Sequence, residues 1–459
     1  MTARRDRRCA RFARQAAVAA RAGVLLASLL WAAPAAGQDW PVGRHDPGRS
    51  AFQPLPAAIE RPAEFVALRL GGRLDAGRLL AADLDLDGLP ETVFARGGRA
   101  LSFDPSGDLD AASDDLGVDR PLGVADLDGD GRPDLVLVTG APGLAALDGS
   151  DGRVRWTAAT TGAPPGTVLP IDLDADGAFE IYVADDGCAT GDPAAGGRIY
   201  GFAGGVGALR ATLRTETHGV WCGRNHVTAD LDGDGRPEVV APDDDRVWAY
   251  DPRGGFSTHA APSLGSFPQG LVDVAAADLD GDGDDELVLA SDNPWRWIDT
   301  SRRLLVLEAE GGTLVRRWEQ RVPADAGRHR YLDAPAADVL PDVPGLEVVT
   351  SMADGSAAGW AVRVFRGLGV DGSPERLVEL AGRIALGTAD LDGDGAAEIV
   401  ARPAPDYEPG EGPQPVEVWR ARRDGGSERL WEAPPAVVPS LPDAARARFA
   451  APDGWGAPA

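Results

Sequence analysis

Short apolar segments recur along the chain, and turn residues separate them. In one representative stretch the segments are residues 121–124, 134–138, 143–147 and 153–158, with clusters of Gly, Asp and Pro between them. Short runs of this kind, bounded by turn residues, are typical of β-strands. No segment shows the 3.6-residue periodicity of an amphipathic helix. We therefore predict an all-β protein in which four strands make one structural unit.

An acidic motif marks each unit. It has the form D-x-D-x-D-G-x-x-[DE], precedes an apolar strand and recurs about every 50 residues, a period typical of four-stranded propeller blades. The copies, numbered loops 1 to 7, begin at Asp83, Asp126, Asp172, Asp230, Asp278, Asp338 and Asp390, and the sixth copy is altered. The repeats predict one seven-bladed β-propeller of four-stranded antiparallel blades over residues 38–435, followed by an Ala/Pro-rich flexible tail over residues 436–459. Residues 64–70 and 429–434 both look like outermost strands, and we expect one of them to close the ring by completing the last blade.

The spacing of oxygen atoms in the intact loops suits a hard cation. Carboxylates stand at positions 1, 3, 5 and 9, and position 7 offers a main-chain carbonyl. Ca2+ takes six to eight oxygen ligands, and the glycine at position 6 permits the sharp turn that brings them together. The alternative is a solvated acidic turn. Two carboxylates about 4 Å apart repel by roughly 4 kcal/mol at an effective dielectric of 20, which favours the metal interpretation.

We therefore predict about six calcium sites, in all loops except loop 6. The predicted ligand residues are Asp83, Asp85, Asp87, Leu89 and Glu91; Asp126, Asp128, Asp130, Arg132 and Asp134; Asp172, Asp174, Asp176, Ala178 and Glu180; Asp230, Asp232, Asp234, Arg236 and Glu238; Asp278, Asp280, Asp282, Asp284 and Glu286; and Asp390, Asp392, Asp394, Ala396 and Glu398. Loop 6 keeps Asp338 and Asp342 but has Pro341, Pro344 and one extra residue before Glu347. It lacks the converging oxygens, so we predict that it binds no metal.

The repeat D-x-D-G-D-G-x-x-[DE], followed by an apolar strand, resembles the FG-GAP/VCBS family. This is the repeat of the integrin α-chain propeller and of many exported bacterial proteins. The resemblance covers residues 75–432, and residues 140–142 supply a literal Gly-Ala-Pro. It implies a binding platform in which calcium loops stiffen one face while protein or glycan ligands meet the loops of the opposite face.

A second, weaker resemblance is to quinoprotein-type propeller repeats. It rests on residues 39–50, 147–156 and 307–318. A quinone-cofactor dehydrogenase of that family would be expected to carry adjacent cysteines, and the sequence has none. We interpret this resemblance as shared blade architecture.

The charge of the chain narrows the choice of partners. The 459 residues include 72 acidic and 45 basic side chains, for a net charge of −27, and 44% are hydrophobic. That hydrophobic content suffices for a sizeable core. The acidity repels phosphate backbones and anionic lipids, so we expect no nucleic-acid partner and expect cations to bind.

The first 37 residues have the layout of a secretory signal peptide. Seven arginines precede an apolar run at residues 24–31, and small residues at 32–37 lead to Gln38. The alternative is a membrane anchor, but a span needs roughly 20 apolar residues. We therefore expect a secreted, periplasmic or extracellular protein with no membrane span after cleavage.

Cysteine usage agrees with export. Cys9 lies in the predicted signal peptide, which leaves Cys188 and Cys222 as an even pair. In an oxidising compartment we expect these two to form a disulfide, the alternative being two free buried thiols.

Three functional classes remain open. A carbohydrate-active enzyme resembling the polysaccharide-lyase propellers needs a base and a neutralising group, and the chain offers five histidines and no lysine. The polar segment 217–226 is either a catalytic or ligand loop or a disulfide-pinned connection, and the tryptophans of residues 292–297 either stack on sugars or pack between blades. With no further catalytic motif present, we predict a non-catalytic binding or adhesion platform, assign no catalytic residues and keep the lyase-like enzyme as the alternative. The third class is adhesion or assembly at the cell surface, and it predicts the same sequence features as the binding platform.

Overall fold

All regular structure in the described part of the protein is β-strand. The computed structural model describes residues 52–53, 79–87, 89–139, 143–159, 165–173, 176, 178–185, 196–201, 208–213, 226–242, 247–251, 258–260, 271–291, 302–322, 336–353, 359–391, 394–404 and 415–433. Over these residues no helix is long and apolar enough to cross a membrane.

Seven sheets contain the strands. In chain order the strands are β1 (Phe52–Gln53), β2 (Leu79–Ala82), β3 (Glu91–Arg96), β4 (Arg99–Phe103), β5 (Leu109–Ala112), β6 (Val118–Ala125), β7 (Asp134–Thr139), β8 (Gly143–Asp148), β9 (Val154–Ala159), β10 (Pro165–Ile171), β11 (Glu180–Asp185), β12 (Gly197–Gly201), β13 (Ala208–Leu213), β14 (Val227–Ala229), β15 (Glu238–Pro242), β16 (Val247–Tyr250), β17 (Thr258–Ala260), β18 (Leu271–Ala277), β19 (Glu286–Ser291), β20 (Arg302–Glu310), β21 (Thr313–Val322), β22 (Ala336–Ala337), β23 (Glu347–Ala353), β24 (Trp360–Arg366), β25 (Arg376–Ala381), β26 (Arg383–Ala389), β27 (Glu398–Pro403), β28 (Val416–Ala421) and β29 (Ser427–Ala433).

Each sheet is built from four consecutive strands, side by side in chain order. The sheets are β2–β5, β6–β9, β10–β13, β14–β17, β18–β21, β22–β25 and β26–β29, and they are named blades 1 to 7. Neighbouring strands of a blade are antiparallel. The prediction of seven four-stranded antiparallel blades is confirmed.

The last blade has a fifth strand that the sequence did not predict. Strand β1 pairs in parallel with β26, with Phe52 opposite Thr388 and Gln53 opposite Ala389. Of the two predicted closing segments, residues 429–434 overlap β29, the outermost strand of blade 7, and residues 64–70 lie outside the described residues. A two-residue strand is too short to show a periodic pattern, so sequence analysis could not detect β1.

The hydrophobic cores lie between neighbouring blades. Val240 of blade 4 packs in one cluster with Leu287 of blade 5. Trp318 of blade 5 reaches blade 6, where its Nε1 donates to the Gly367 carbonyl at 2.6 Å and its ring lies 5.7 Å from that of Phe365. Because both faces of a blade are covered, middle strands such as β7 and β8 are continuous apolar runs rather than alternating ones.

A β-bulge recurs in the outermost strand of six blades. The pairing of the third and fourth strands shifts by one residue near the loop end of blades 1, 2, 3, 5, 6 and 7. The residues skipped in the pairing are Asp110, Arg155, Arg210, Arg317, Leu377 and Leu430. A bulge bends the strand and redirects a side chain, so this position can aim an arginine at the acidic loop of its own blade.

Candidate metal centres

Every acidic loop joins the first strand of its blade to the second, so the seven loops lie at one end of the propeller. The last acidic residue of each loop begins the second strand, and one of its side-chain oxygens accepts a main-chain N–H from the start of the same loop. The donor–acceptor pairs are Leu84 with Glu91, Leu127 with Asp134, Leu173 with Glu180, Leu231 with Glu238, Leu279 with Glu286, Val339 and Leu340 with Glu347, and Leu391 with Glu398, at 2.7–3.3 Å. This bond fixes the carboxylate and leaves its second oxygen for another partner.

The first aspartate organises the turn. In loop 2, Asp126 Oδ1 accepts the N–H of Gly129 at 2.8 Å and Asp126 Oδ2 accepts the N–H of Gly131 at 2.8 Å. Both glycines have positive φ, +72° and +82°, a region that glycine enters without a steric penalty. In loop 1, Leu86 stands where Gly129 stands in loop 2, and it keeps the left-handed turn with φ +64° while remaining 54% exposed. Loop 1 therefore has the common turn at a conformational cost of about 1–2 kcal/mol.

Four loops bring three carboxylates close together. In each of them one oxygen from every member lies within 4.8 Å of the others. The groups are Asp83, Asp85 and Glu91; Asp126, Asp128 and Asp134; Asp230, Asp232 and Asp234; and Asp278, Asp280 and Asp282. In loops 3 and 7, Asp174 and Asp392 lie outside the described residues, so the arrangement of those two loops is described only in part.

The altered loop 6 has a different arrangement. The side chain of Asp342 is 77% exposed and lies 3.8 Å from Arg423. Asp338 Oδ1 and Glu347 Oε1 are buried and accept no hydrogen bond from the residues that the structure describes. Loop 6 therefore directs one of its three predicted carboxylates towards solvent.

Comparison with known families agrees with the loop geometry. Residues 126–183 and 230–289 match the model of the FG-GAP-like repeat. This chain carries FG-GAP-like repeats in a β-propeller. No curated protein sequence matches this FG-GAP propeller.

Several solved structures are similar to the FG-GAP propeller. One is a quinohemoprotein alcohol dehydrogenase from Comamonas testosteroni, with 11% identity, coverage of 86% of this chain and 73% of that chain, and a TM-score of 0.48. A Bacillus licheniformis rhamnogalacturonan lyase shows 16% identity, coverage of 71% and 69%, and a TM-score of 0.41. The V. cholerae biofilm matrix protein Bap1 shows 14% identity, coverage of 78% and 72%, and a TM-score of 0.37. At these identities the likeness concerns architecture and bears on no activity.

Burial disfavours the ionised form of several loop carboxylates in the FG-GAP propeller. It raises the pKa of Glu91 to about 7 and that of Glu286 to about 8, and neighbouring aspartates add to both shifts. Burial also raises the pKa of Asp134 to about 7, although the charge of Arg155 opposes the shift. A carboxylate in such a position gains stability from a proton or a cation.

The described residues show loops 2 and 7 each paired with an arginine of the same blade. In blade 2, Arg155 of β9 forms ion pairs with acidic residues of loop 2. In blade 7, Arg420 of β28 lies 2.7 Å from Glu398 Oε1. Sequence analysis missed both arginines. Aligning two of the repeats offers a signal, because Asp148 with Arg155-Trp156 in blade 2 corresponds to Glu308 with Arg317-Trp318 in blade 5.

Loop 5 differs from these two loops. It has six acidic residues, and within the described part of the chain five of them form no ion pair: Asp278, Asp280, Asp282, Asp284 and Glu286. Its donor set consists only of oxygens, and its charge is strongly negative, which fits a hard cation such as Ca2+ better than a transition metal. Glu286 Oε1, the carboxylates of Asp278, Asp280 and Asp282, and the carbonyl of Asp284 are the groups that would hold the ion.

Main-chain hydrogen bonds join neighbouring loops. The N–H of Phe179 in loop 3 donates to the carbonyl of Asp126 in loop 2 at 2.9 Å. Between loops 4 and 5, the Asp285 N–H donates to the Asp230 carbonyl at 2.7 Å, and Asp285 Oδ2 accepts the Asp230 N–H at 2.9 Å. These bonds therefore connect loop 2 with loop 3 and loop 4 with loop 5.

The residues considered for catalysis and for the disulfide are mostly outside the described residues. Cys188, Cys222 and the tryptophans of residues 292–297 fall there. His226, the end of the polar segment 217–226, is described and is only 1% exposed. Its Nδ1 lies 2.7 Å from the Tyr182 hydroxyl, and the two rings stack with centroids 5.9 Å apart. In this position His226 joins blade 3 to the start of blade 4.

Proposed function

We propose that this FG-GAP propeller is an exported, calcium-stabilised platform that binds protein or glycan ligands without catalysing a reaction. Loop 5 carries the calcium part of the proposal. Five of its six acidic residues form no ion pair within the described part of the chain, and three of these place carboxylate oxygens within 4.8 Å of one another. A divalent ion would remove this repulsion and would satisfy the coordination of a hard cation.

The platform part follows from the arrangement of the loops. With calcium in about six loops, one end of the ring would be rigid, and the loops at the other end would be held in fixed positions for a ligand. Ordered loops bind with a smaller entropic cost, so calcium would raise affinity at the opposite end without contacting the ligand. Millimolar calcium, as found outside cells, fills sites with dissociation constants of about 10⁻⁴ to 10⁻³ M.

The calcium part is tested by calorimetric titration of the chain that starts at Gln38, together with thermal melting in calcium and in chelator. We expect stoichiometry near six and a clear rise in melting temperature, because a ligand that binds only the folded state stabilises it. Asp278→Asn in loop 5 should reduce the stoichiometry by one. The matched control is Asp342→Asn in loop 6, where the carboxylate is exposed, and it should leave the stoichiometry unchanged.

The ligand part is tested by screening glycan and protein arrays in calcium and in chelator. Binding that requires calcium and disappears with Asp278→Asn supports the platform. The enzyme alternative is tested on a panel of acidic polysaccharides. Shortening of any polysaccharide by the purified protein would contradict the non-catalytic proposal, and the absence of calcium binding would contradict the stabilising role of the loops.

A further inference from the structure

The guanidinium of Arg155 lies among the acidic groups of loop 2. Its Nε lies 3.0 Å from Asp134 Oδ1, and its Nη2 lies 3.2 Å from Asp130 Oδ2 and 2.8 Å from Asp148 Oδ2. Its Nη1 contacts Asp128 Oδ2. Arg155 is the residue skipped in the pairing of β8 with β9, and the bulge there turns its side chain towards the loop.

We propose that Arg155 is an internal cation that competes with calcium for loop 2, so that loop 2 binds calcium more weakly than loop 5. This inference rests on the proposed calcium binding by the loops. The guanidinium uses oxygens of Asp128, Asp130 and Asp134, which are three of the predicted ligands of loop 2. Calcium needs those oxygens at 2.3–2.6 Å, so ion and guanidinium cannot occupy them together.

In blade 5 the arginine at the same position is bound by other acidic residues. Arg317 is the bulge residue of blade 5, as Arg155 is of blade 2. Both Nε and Nη2 of Arg317 bond to Glu308, and Nη2 also lies 2.7 Å from Glu310. Glu308 and Glu310 therefore hold the guanidinium away from Asp278, Asp280 and Asp282.

The acidic residues of the third strand differ between the two blades. In blade 2, Asp148 stands directly opposite Asp134, the last acid of the loop. In blade 5 the register of β19 and β20 places Glu308 opposite Glu286. The glutamate is one methylene longer and takes a bidentate pair with the arginine, whereas Asp148 binds one nitrogen and lets the guanidinium extend past it into the loop.

Loop 7 provides a second, independent case. Arg420 occupies the third-strand position in blade 7, opposite Glu398. Its Nη2 lies 2.7 Å from Glu398 Oε1 and 3.3 Å from Asp394 Oδ2. Loop 7 therefore belongs with loop 2, as a loop whose acidic residues pair with an arginine of their own blade.

The inference is tested by calcium titration of Arg155→Ala beside a matched arginine variant. Arg153→Ala is the control, because Arg153 lies two residues away, has an 86% exposed side chain and, among the described residues, pairs only with Asp151, at 3.3 Å. We expect Arg155→Ala to tighten one calcium site by about tenfold or more, the effect of removing a close charged competitor. In chelator the same variant should melt at a lower temperature than the wild type, and calcium should remove that difference. Arg153→Ala should match the wild type in both conditions.

A second variant keeps Arg155, so it tests the inference even if Arg155→Ala fails to fold. Asp148→Glu should hold the guanidinium as Glu308 holds Arg317, and it should also tighten one calcium site. If the wild type binds calcium and neither variant changes any site, the inference is wrong while the proposed function stands. If the wild type binds no calcium and Arg155→Ala binds one ion, Arg155 competes with calcium as inferred, but the comparison with loop 5 and the proposed function are both wrong. If no form binds calcium, both are wrong.

Discussion

Replacing Glu286 with glutamine should change the stability of the protein in opposite directions with and without calcium. Glu286 is 1% exposed, and its Oε2 accepts the Leu279 N–H at 2.7 Å, a bond that the glutamine oxygen can keep. Burial, helped by the charges of Asp280 and Glu308, raises its pKa from 4.5 to about 8. Without a cation the protein therefore loses stability when this carboxyl ionises.

The sign and size of the effect follow from the two pKa values. A carboxyl whose pKa is raised on folding contributes stability that is fully present below about pH 4.5 and is lost as the pH rises through about 8. At pH 8 the loss is on the order of 4 kcal/mol, since each unit is worth about 1.4 kcal/mol. Glu286→Gln removes this loss, so in chelator the variant should be more stable than the wild type at pH 8 and nearly equal to it near pH 5. In calcium the variant lacks a charged ligand and should be the less stable protein.

The assay is denaturant unfolding near pH 5 and pH 8, in chelator and in calcium. Glu347→Gln in loop 6 is the matched control, because Glu347 is fully buried, accepts main-chain bonds from Val339 and Leu340, and has its pKa raised by burial to about 7. That variant should be more stable at pH 8 in both conditions, since no calcium is predicted there. Two results would refute the reasoning. One is a Glu286→Gln protein that is less stable than the wild type in chelator at pH 8. The other is a variant whose gain in stability over the wild type is as large in calcium as in chelator.

Two further predictions concern the scaffold. Asp285→Ala removes the side-chain bond to the Asp230 N–H between loops 4 and 5, so the free energy of unfolding in denaturant should fall by about 1 kcal/mol; an unchanged unfolding midpoint would show that this link adds nothing. Gly369→Ala should lower the melting temperature more than Gly382→Ala. The two sites have similar φ values, +68° and +69°, so the conformational cost is alike. At Gly369 the new Cβ would lie 2.3 Å from the Ser373 carbonyl oxygen, whereas at Gly382 nothing lies within 4 Å. Equal shifts for the two alanine variants would mean that the conformational cost alone, and not the close contact, determines the loss.

The fold could be predicted because each blade repeats a pattern that is set locally. The turn of loop 2 depends on Asp126, Gly129 and Gly131, which are close in sequence and form bonds among themselves. The apolar runs of β7 and β8 are continuous because their blade is covered on both faces. Such features are visible in one repeat at a time, so counting loops gave the number of blades.

The chemistry that distinguishes one loop from another could not be read from the motif. Loops 2 and 5 share the start D-L-D-G-D-G, yet Arg155 enters loop 2 while Arg317 is held outside loop 5. Both arginines stand at a bulge in the fourth strand, and the two blades differ in the acidic residues that the third strand offers them. The bulge and the facing residues are properties of strand pairing, and the register of a pair is fixed by contacts that a single repeat does not display.

Main-chain hydrogen bonds between successive loops form a pattern that no single loop reveals. The residue before the last acid of a loop donates its N–H to the preceding loop in four cases, at Phe179, Asp285, Leu346 and Ala397. In loops 1, 2 and 4 this residue is a proline, which has no N–H to donate: Pro90, Pro133 and Pro237.

The prolines therefore divide the ring of loops into sections. Loops 4 to 7 form one continuous series, because Asp285, Leu346 and Ala397 each bond to the loop before them. Loops 2 and 3 form a shorter series through Phe179, and Pro237 separates the two. Since the first aspartate of loop 4 is both a predicted calcium ligand and the acceptor for Asp285, ordering loop 4 by an ion would also restrain loop 5. Calcium bound within one section would thus stiffen that section first. Its effect on the next section would be weaker, because a proline replaces the donor of the hydrogen bond between them.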